Sequence, residues 1–203
     1  MFVIQLLTLL ALLSVVLSFQ PVVLNTTSTE LGSSSLCVCT TVPCPVAGHN
    51  PLTEGGGAVI TYFYTQHGEY PVVTSAEGTL TPKALAQGTG TTSCTQEYSR
   101  MLDDDGKKDC DAGHILAHHL GGLGNQPINI FPQDATLNRG AYAQFEGKIY
   151  DCLDTGGAKS AYLTWKFTYA DTTRTKPDYV KYTATFDGGS CEDMSTNFNN
   201  QSN

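Results

Sequence analysis

Three of the five histidines lie within six residues, in the run D-A-G-H-I-L-A-H-H from Asp111 to His119. A neutral imidazole near pH 7 can take a proton from an attacking water, so a histidine fixed in a turn is a candidate general base. Gly113 before His114 and Gly121-Gly122 after the cluster predict a tight, exposed backbone rather than a long helix. The run N-I-F-P-Q-D-A-T-L-N-R-G-A-Y-A-Q-F-E, Asn129 to Glu146, then brings the oxygen donors Asn129, Gln133, Asn138 and Glu146. Oxygen donors suit Mg²⁺, which takes few protein ligands and keeps several waters. Such an ion neutralises charge developing on a phosphate and its leaving oxygen.

A zinc site is the competing chemistry. His114 and His118 are four apart, as in H-E-x-x-H, but Ile115 stands where that motif carries its general base. A zinc hydrolase without its base is the weaker reading. One imidazole of the cluster as general base, with the Asn138 amide as inner-sphere Mg²⁺ ligand, is the stronger.

These residues need elements to hold them. Leu137, Ala141, Phe145, Ile149 and Leu153 recur four apart and predict a helix over Asp134 to Leu153, capped by Asp134 or Thr136 and stopped by Gly156-Gly157. In a regular helix Glu146 lies about 12 Å along the axis from Asn138 and about 80° around it, so it reaches an ion on Asn138 only through water. Strands are predicted for A-V-I-T-Y-F-Y-T (58–65), Tyr70 to Ser75, Ala161 to Tyr169 and Tyr179 to Phe186. Gln87 to Thr95 reads as a polar loop, and Asp103-Asp104-Asp105-Gly106 as a solvated turn, because the later ligands of a calcium loop are missing. Trp165 and Tyr169 read as core rather than as base-stacking platforms. The sum is an α+β fold: a β-rich single domain with one central helix.

Composition bounds the function. The 203 residues, 40% hydrophobic, suit one domain, and 11 cations against 19 anions give a net charge of −8. A polybasic wrapper of nucleic acid is excluded; an acidic enzyme that meets nucleic acid locally is not. Met1 to Ser18 carries no Asp, Glu, Lys or Arg and reads as a signal peptide cleaved near Ser18, with a single signal-anchor helix as the rival. All seven cysteines follow it, at 37, 39, 44, 94, 110, 152 and 191. In an oxidising compartment they predict about three disulfides and one leftover thiol. The cluster C-V-C-T-T-V-P-C lacks the paired C-x-x-C spacing of a zinc site. The expected layout is a signal peptide (1–18), a flexible lead-in (19–36), the folded domain (37–195) and a disordered tail (196–203). In a source that glycosylates, Asn25 (N-T-T) and Asn200 (N-Q-S) are the expected acceptors, both near flexible ends.

D-A-G-H followed by G-G, then N-x-x-P-Q-x-x-x-x-N-x-G-A-Y-x-x-x-E, resembles the DNA/RNA non-specific endonucleases of the ββα-metal (His-metal finger) fold, in the subgroup with D-A-G-H. The likeness covers Cys110 to Cys152, about a fifth of the chain. It implies a disulfide-stabilised domain around a ββα-metal core at about 107–153, with His114 as general base and Asn138 as direct ligand of Mg²⁺ (Mn²⁺ or Ca²⁺ as alternatives). It places Glu146 on the ion through water, and Asn129 as the brace of the histidine loop. Gln133 takes a supporting place at the substrate, and Arg139 beside the metal ligand becomes a catalytic and phosphate-facing cation. Two positions depart from the pattern. Ala112 stands where many members carry Arg, and Arg100 is the upstream candidate for the arginine that stabilises the pentacovalent phosphorus. The implied function is secreted, metal-dependent hydrolysis of DNA, RNA or both through backbone phosphates, leaving 5′-phosphate ends, with no stable membrane association. The alternative is a secreted effector or binding protein on a weakened nuclease scaffold. The missing arginines favour that alternative; His114, Asn138 and Glu146 oppose it.

Overall fold

Along Val59–His67 and Ser160–Thr168 nearly every second side chain is buried, the period of a strand with one face on a core. A computed structural model of the chain describes residues 39–102 and 110–201. Its main sheet is six-stranded and antiparallel throughout, in the order β1-β2-β3-β6-β7-β8. The strands are β1 (Gly48–Thr53), β2 (Val59–His67), β3 (Tyr70–Leu80), β6 (Ser160–Thr168), β7 (Tyr179–Asp187) and β8 (Met194–Asn199). A separate antiparallel pair, β4 (Cys110–His114) and β5 (Ile130–Asp134), leads directly into the helical stretch.

That stretch runs as α2 (Ala135–Leu137), a π-helical turn (Asn138–Tyr142) and α3 (Ala143–Asp154). Asp134 caps it by accepting the Leu137 N–H at 2.9 Å. The predicted helix is therefore present, but Gly140 leaves helical geometry (φ −114°, ψ −109°), so regular-helix spacing does not carry through from Asn138 to Glu146. Its buried face meets the sheet through aromatic rings: Phe145 against Tyr182 (4.9 Å) and Tyr142 against Phe198 (5.0 Å), with Trp165 on Tyr182 (4.6 Å) behind them. Trp165 is core, as read from the sequence, and Tyr169 packs at its margin with its hydroxyl on the Val73 carbonyl.

Beside this main helix stands a second, short one. α1 (Ser93–Met101) grows out of the segment read as a polar loop, because Thr92 and Thr95 form a reciprocal cap. Its apolar stripe is short, Cys94, Tyr98 and Leu102 recurring four apart. Tyr98 and Leu102 join Cys39 and Ile130 in a second small cluster, against which Cys94 and Ala112 pack. The Cys39–Cys94 bridge ties α1 to the start of the described chain; Cys152–Cys191 joins α3 to the segment before β8, and Cys44 is also disulfide-bonded.

The C-terminal expectation needs correction. Residues 194–199 form an edge strand rather than the start of a disordered tail, because Phe198 is buried, a gain of about 1.5–3 kcal/mol for a side chain of that size. Asn200 is fully buried: its Nδ2 donates to the Pro132 and Pro177 carbonyls, and its Oδ1 accepts the Asp134 N–H. With that nitrogen enclosed, Asn200 is a clasp on β5 rather than a glycosylation acceptor. The signal peptide, the lead-in, Asn25, Cys37 and the acidic turn at 103–105 lie outside the described residues. Among the described residues no helix is long and apolar enough to cross a membrane.

Candidate active site

β4 and β5 pair so that Gly113 faces Phe131 and His114 faces Ile130. A Cβ on Gly113 would fall against the Gln133 side chain, with Gln133 Cβ at 2.6 Å, so only glycine lets Gln133 lie across β4. Gln133 is wholly buried there. It is enclosed against β4 with neither amide atom hydrogen-bonded, and has no surface to offer a substrate, contrary to the expectation from the sequence.

His114 ends β4 with its Nε2 3.0 Å from the Thr89 carbonyl oxygen. A carbonyl only accepts, so Nε2 carries the proton and the lone pair of the neutral ring sits on Nδ1. Burial pulls the His114 pKa below its ordinary value; the Thr89 bond opposes this, while His118 and His119 add to it. The ring is thus held neutral, in one tautomer. The Thr89 oxygen also accepts the Gly124 N–H at 3.0 Å, and Thr89 N–H donates to Gly122 at 3.0 Å. A Cβ on Gly124 would strike His114 Nε2.

The loop after His114 is buried rather than exposed: Ile115, Leu116 and Leu120 all lie in the main core. Asn129 braces it. Its carbonyl accepts the Ile115 N–H, its Oδ1 the Leu116 N–H (2.8 Å), and its Nδ2 donates to the Leu116 carbonyl (3.0 Å). Such pairing is what buried backbone requires. The Tyr62 hydroxyl lies 2.9 Å from the same Oδ1 and also against Glu54, whose Oε2 accepts the Leu123 N–H at 2.8 Å. His118 is exposed, 6.2 Å ring to ring from His114, and His119 stands against Tyr150. Among the described residues no three His, Cys, Asp or Glu side chains gather as a metal site.

Across the hairpin, Asp111 organises the metal-ligand candidate. Its Oδ2 accepts Asn138 Nδ2 at 2.9 Å, and Arg139 forks onto both oxygens, Nε at 2.9 Å and Nη2 at 2.6 Å. Burial works against the Asp111 charge, but the bonds from Arg139 and Asn138 outweigh it and hold the carboxyl below the usual range. With its nitrogen committed, Asn138 has Oδ1 left as donor. Arg139 is 73% exposed, and its fork rests on Asp111. Arg100 is exposed in the last turn of α1. Glu146 lies on the buried face of α3, 6% exposed, near Tyr142 and Tyr182; its Oε1 has no hydrogen-bond partner, and burial pushes its carboxyl well above the usual range.

Thr89, Asp111, Glu54 and Tyr62 were not singled out from the sequence. Asp111 could have been, as the first residue of D-A-G-H. Thr89 sits in an unremarked G-T-G, and nothing local marks Glu54 before G-G-G.

Comparison with known proteins gives three findings. The model of the DNA/RNA non-specific endonuclease family matches residues 58–188. A "Probable deoxyribonuclease RhsA" of Dickeya dadantii (strain 3937) is 36% identical over 116 residues, 57% of this chain. The match spans only 8% of that protein's length. The crystal structure of NucA from Streptococcus agalactiae with magnesium ion bound superposes with a TM-score of 0.52 at 12% identity, over 80% of this chain and 84% of that one. At that identity the superposition speaks for the fold alone.

Proposed function

The chain belongs to the DNA/RNA non-specific endonuclease family, and from that premise we propose that it is a secreted, metal-dependent endonuclease hydrolysing the phosphodiester backbone of DNA, RNA or both. The observation that carries the proposal is the Thr89–His114 bond, which leaves Nδ1 of a neutral imidazole as the basic nitrogen. In this reading Nδ1 takes a proton from the attacking water, the new P–O bond forms in line, and the 3′ oxygen leaves, so the product carries a 5′-phosphate. Asn129 keeps the backbone behind His114 from moving, which preserves the attack geometry.

The residues present suit a hard divalent cation. Asn138 offers an oriented amide oxygen, and Glu146 holds a buried oxygen without a protein partner. Asn138 would hold the ion directly and Glu146 through water; when bound, the ion neutralises the charge of the phosphate and its leaving oxygen. Mg²⁺ is the proposed ion, with Mn²⁺ or Ca²⁺ able to replace it. Arg100 is the cation offered to substrate phosphates; Arg139, with its fork on Asp111, acts by holding the carboxylate that orients Asn138. Disulfide bridges support an oxidising, extracellular setting.

Because the Dickeya relative is named a probable deoxyribonuclease, DNA is the first substrate to test. Supercoiled plasmid incubated with the protein and Mg²⁺ should pass through nicked to linear and fragmented forms, and EDTA should stop it. An intact plasmid, and intact RNA, with Mg²⁺, Mn²⁺ and Ca²⁺ in turn would favour the effector or binding reading.

A further inference from the structure

Glu54 follows β1, is only 3% exposed, and takes no part in the chemistry above. Its two oxygens touch two parts of the scaffold around His114. Oε2 accepts the Leu123 N–H, next to the Gly124 that lies against the His114 ring. Oε1 meets the Tyr62 hydroxyl, which also meets Asn129 Oδ1. Asn129 in turn holds Leu116, two residues after His114.

The protons in this chain can be counted. Asn129 Nδ2 donates to the Leu116 carbonyl while Oδ1 accepts the Leu116 N–H, so the amide cannot flip and Oδ1 only accepts. Tyr62 has one proton. Against a carboxylate at Glu54, both Oε1 and Asn129 Oδ1 would need that proton, and one contact would bury two acceptors face to face. A proton on Oε1 removes the conflict: Glu54 donates to Tyr62, Tyr62 donates to Asn129, and Oε2 still accepts from Leu123.

We propose that Glu54 is a positioning residue for His114 that acts as a neutral acid, its proton completing a Glu54–Tyr62–Asn129 chain that pins the 115–124 loop at both ends. Losing that proton slackens the pin. The role in cleavage rests on the nuclease reading of His114; the chain itself does not.

Among the described residues no cation faces the carboxylate. Tyr62 faces it from β2 with the phenols of Tyr64 and Tyr182 nearby, all kept protonated by burial. The histidine loop presents the main-chain Leu123 N–H; His118 is exposed and His119 stands against Tyr150. The 82–84 turn approaches through backbone atoms beside Gly56, and its Lys83 is exposed. Burial, opposed by the bonds from Tyr62 and Leu123, raises the carboxyl from 4.5 to about 7. The chain is therefore complete on the acid side of neutrality and loses its proton on the alkaline side.

The test is the pH dependence of the Leu116 and Leu123 amide chemical shifts in the full chain, without metal or nucleic acid, for wild type and Glu54→Gln. In wild type both amides should move together with a midpoint near 7. In Glu54→Gln the amide nitrogen can donate to Tyr62 while the carbonyl accepts from Leu123, so both signals should hold their acid-side positions throughout. Plasmid cleavage, followed in parallel, should lose rate on the alkaline side in wild type and keep it in Glu54→Gln. The proposal is overturned if the two amides titrate alike in both proteins, or if neither moves in wild type and the Glu54 carboxyl carbon titrates as an ordinary carboxylate. A wild type whose amides titrate as described but which cuts no nucleic acid would overturn the nuclease reading alone and leave the chain standing.

Discussion

Asp111 Oδ2 accepts the Nδ2–H of Asn138 at 2.9 Å, and this bond decides that Oδ1 is the end of the Asn138 amide left to bind an ion. Outer partners that orient a ligand typically matter by 10–100-fold, in affinity or rate. Asp111→Ala should therefore cut cleavage by about 10–100-fold and raise the Mg²⁺ concentration for half-maximal rate, with an unchanged circular dichroism spectrum. An unaltered Mg²⁺ requirement would show that Asp111 does not orient Asn138.

Arg139 should act through Asp111. Its fork makes the two residues one unit, so a double-mutant cycle of Arg139→Ala with Asp111→Ala should be strongly non-additive, the double variant being little worse than Asp111→Ala alone. Arg139→Lys keeps the charge but not the planar fork, and should resemble Arg139→Ala. Losses that simply add would assign Arg139 to the substrate phosphate. The pair is exposed enough that its effect on stability should stay within about 0–1 kcal/mol.

What the sequence disclosed follows the range of the forces involved. Four strands and the main helix were legible because their burial repeats at short period, as in Val59–His67 and Phe145–Ile149–Leu153. His114, Asn129 and Asn138 drew attention in the sequence because their chemistry and spacing form a motif. α1 was missed although Cys94, Tyr98 and Leu102 recur four apart, because its Thr, Ser and Gln positions read as a polar loop and its start is a Thr92–Thr95 pair rather than an acidic capping box. β8 and Asn200 were hidden because their partners, Pro132, Asp134 and Pro177, are distant in sequence. Thr89 and Glu54 escaped for the same reason: each bonds to the histidine loop across a gap that no local pattern spans. Gln133 was misread because a polar side chain in a motif looked like a surface group until Gly113 was seen beneath it.

The acid limb of the cleavage profile should sit below 6.5. His114 must be neutral to accept a proton, and burial lowers its pKa from that value, so activity persists to lower pH than an exposed histidine would allow. His118 contributes to the lowering, so His118→Ala should move the limb upward, toward 6.5. Rates measured across pH for the two proteins check both signs.

Gly124→Ala should separate folding from positioning. The added methyl would strike His114 Nε2 and lie 2.7 Å from the Thr89 oxygen, displacing the ring while leaving the main sheet untouched. A displacement of about 1 Å at a reacting group can cost about 100-fold, so cleavage should fall by that order, while the overpacking against the 89–90 backbone costs only about 1–3 kcal/mol of stability and leaves the protein folded. A fully active Gly124→Ala would mean that the Thr89 contact is not what aims the base.

The most direct measurement is the rate of plasmid cleavage by His114→Ala and His118→Ala beside wild type, at saturating Mg²⁺, with circular dichroism confirming the fold of each. Loss of a positioned general base is worth about 10²–10⁴-fold. His114→Ala should fall by that much and His118→Ala, exposed and outside the proton transfer, should retain most of its rate. A His114→Ala protein that cuts as fast as wild type, or a His118→Ala protein that is the inactive one, would contradict the account.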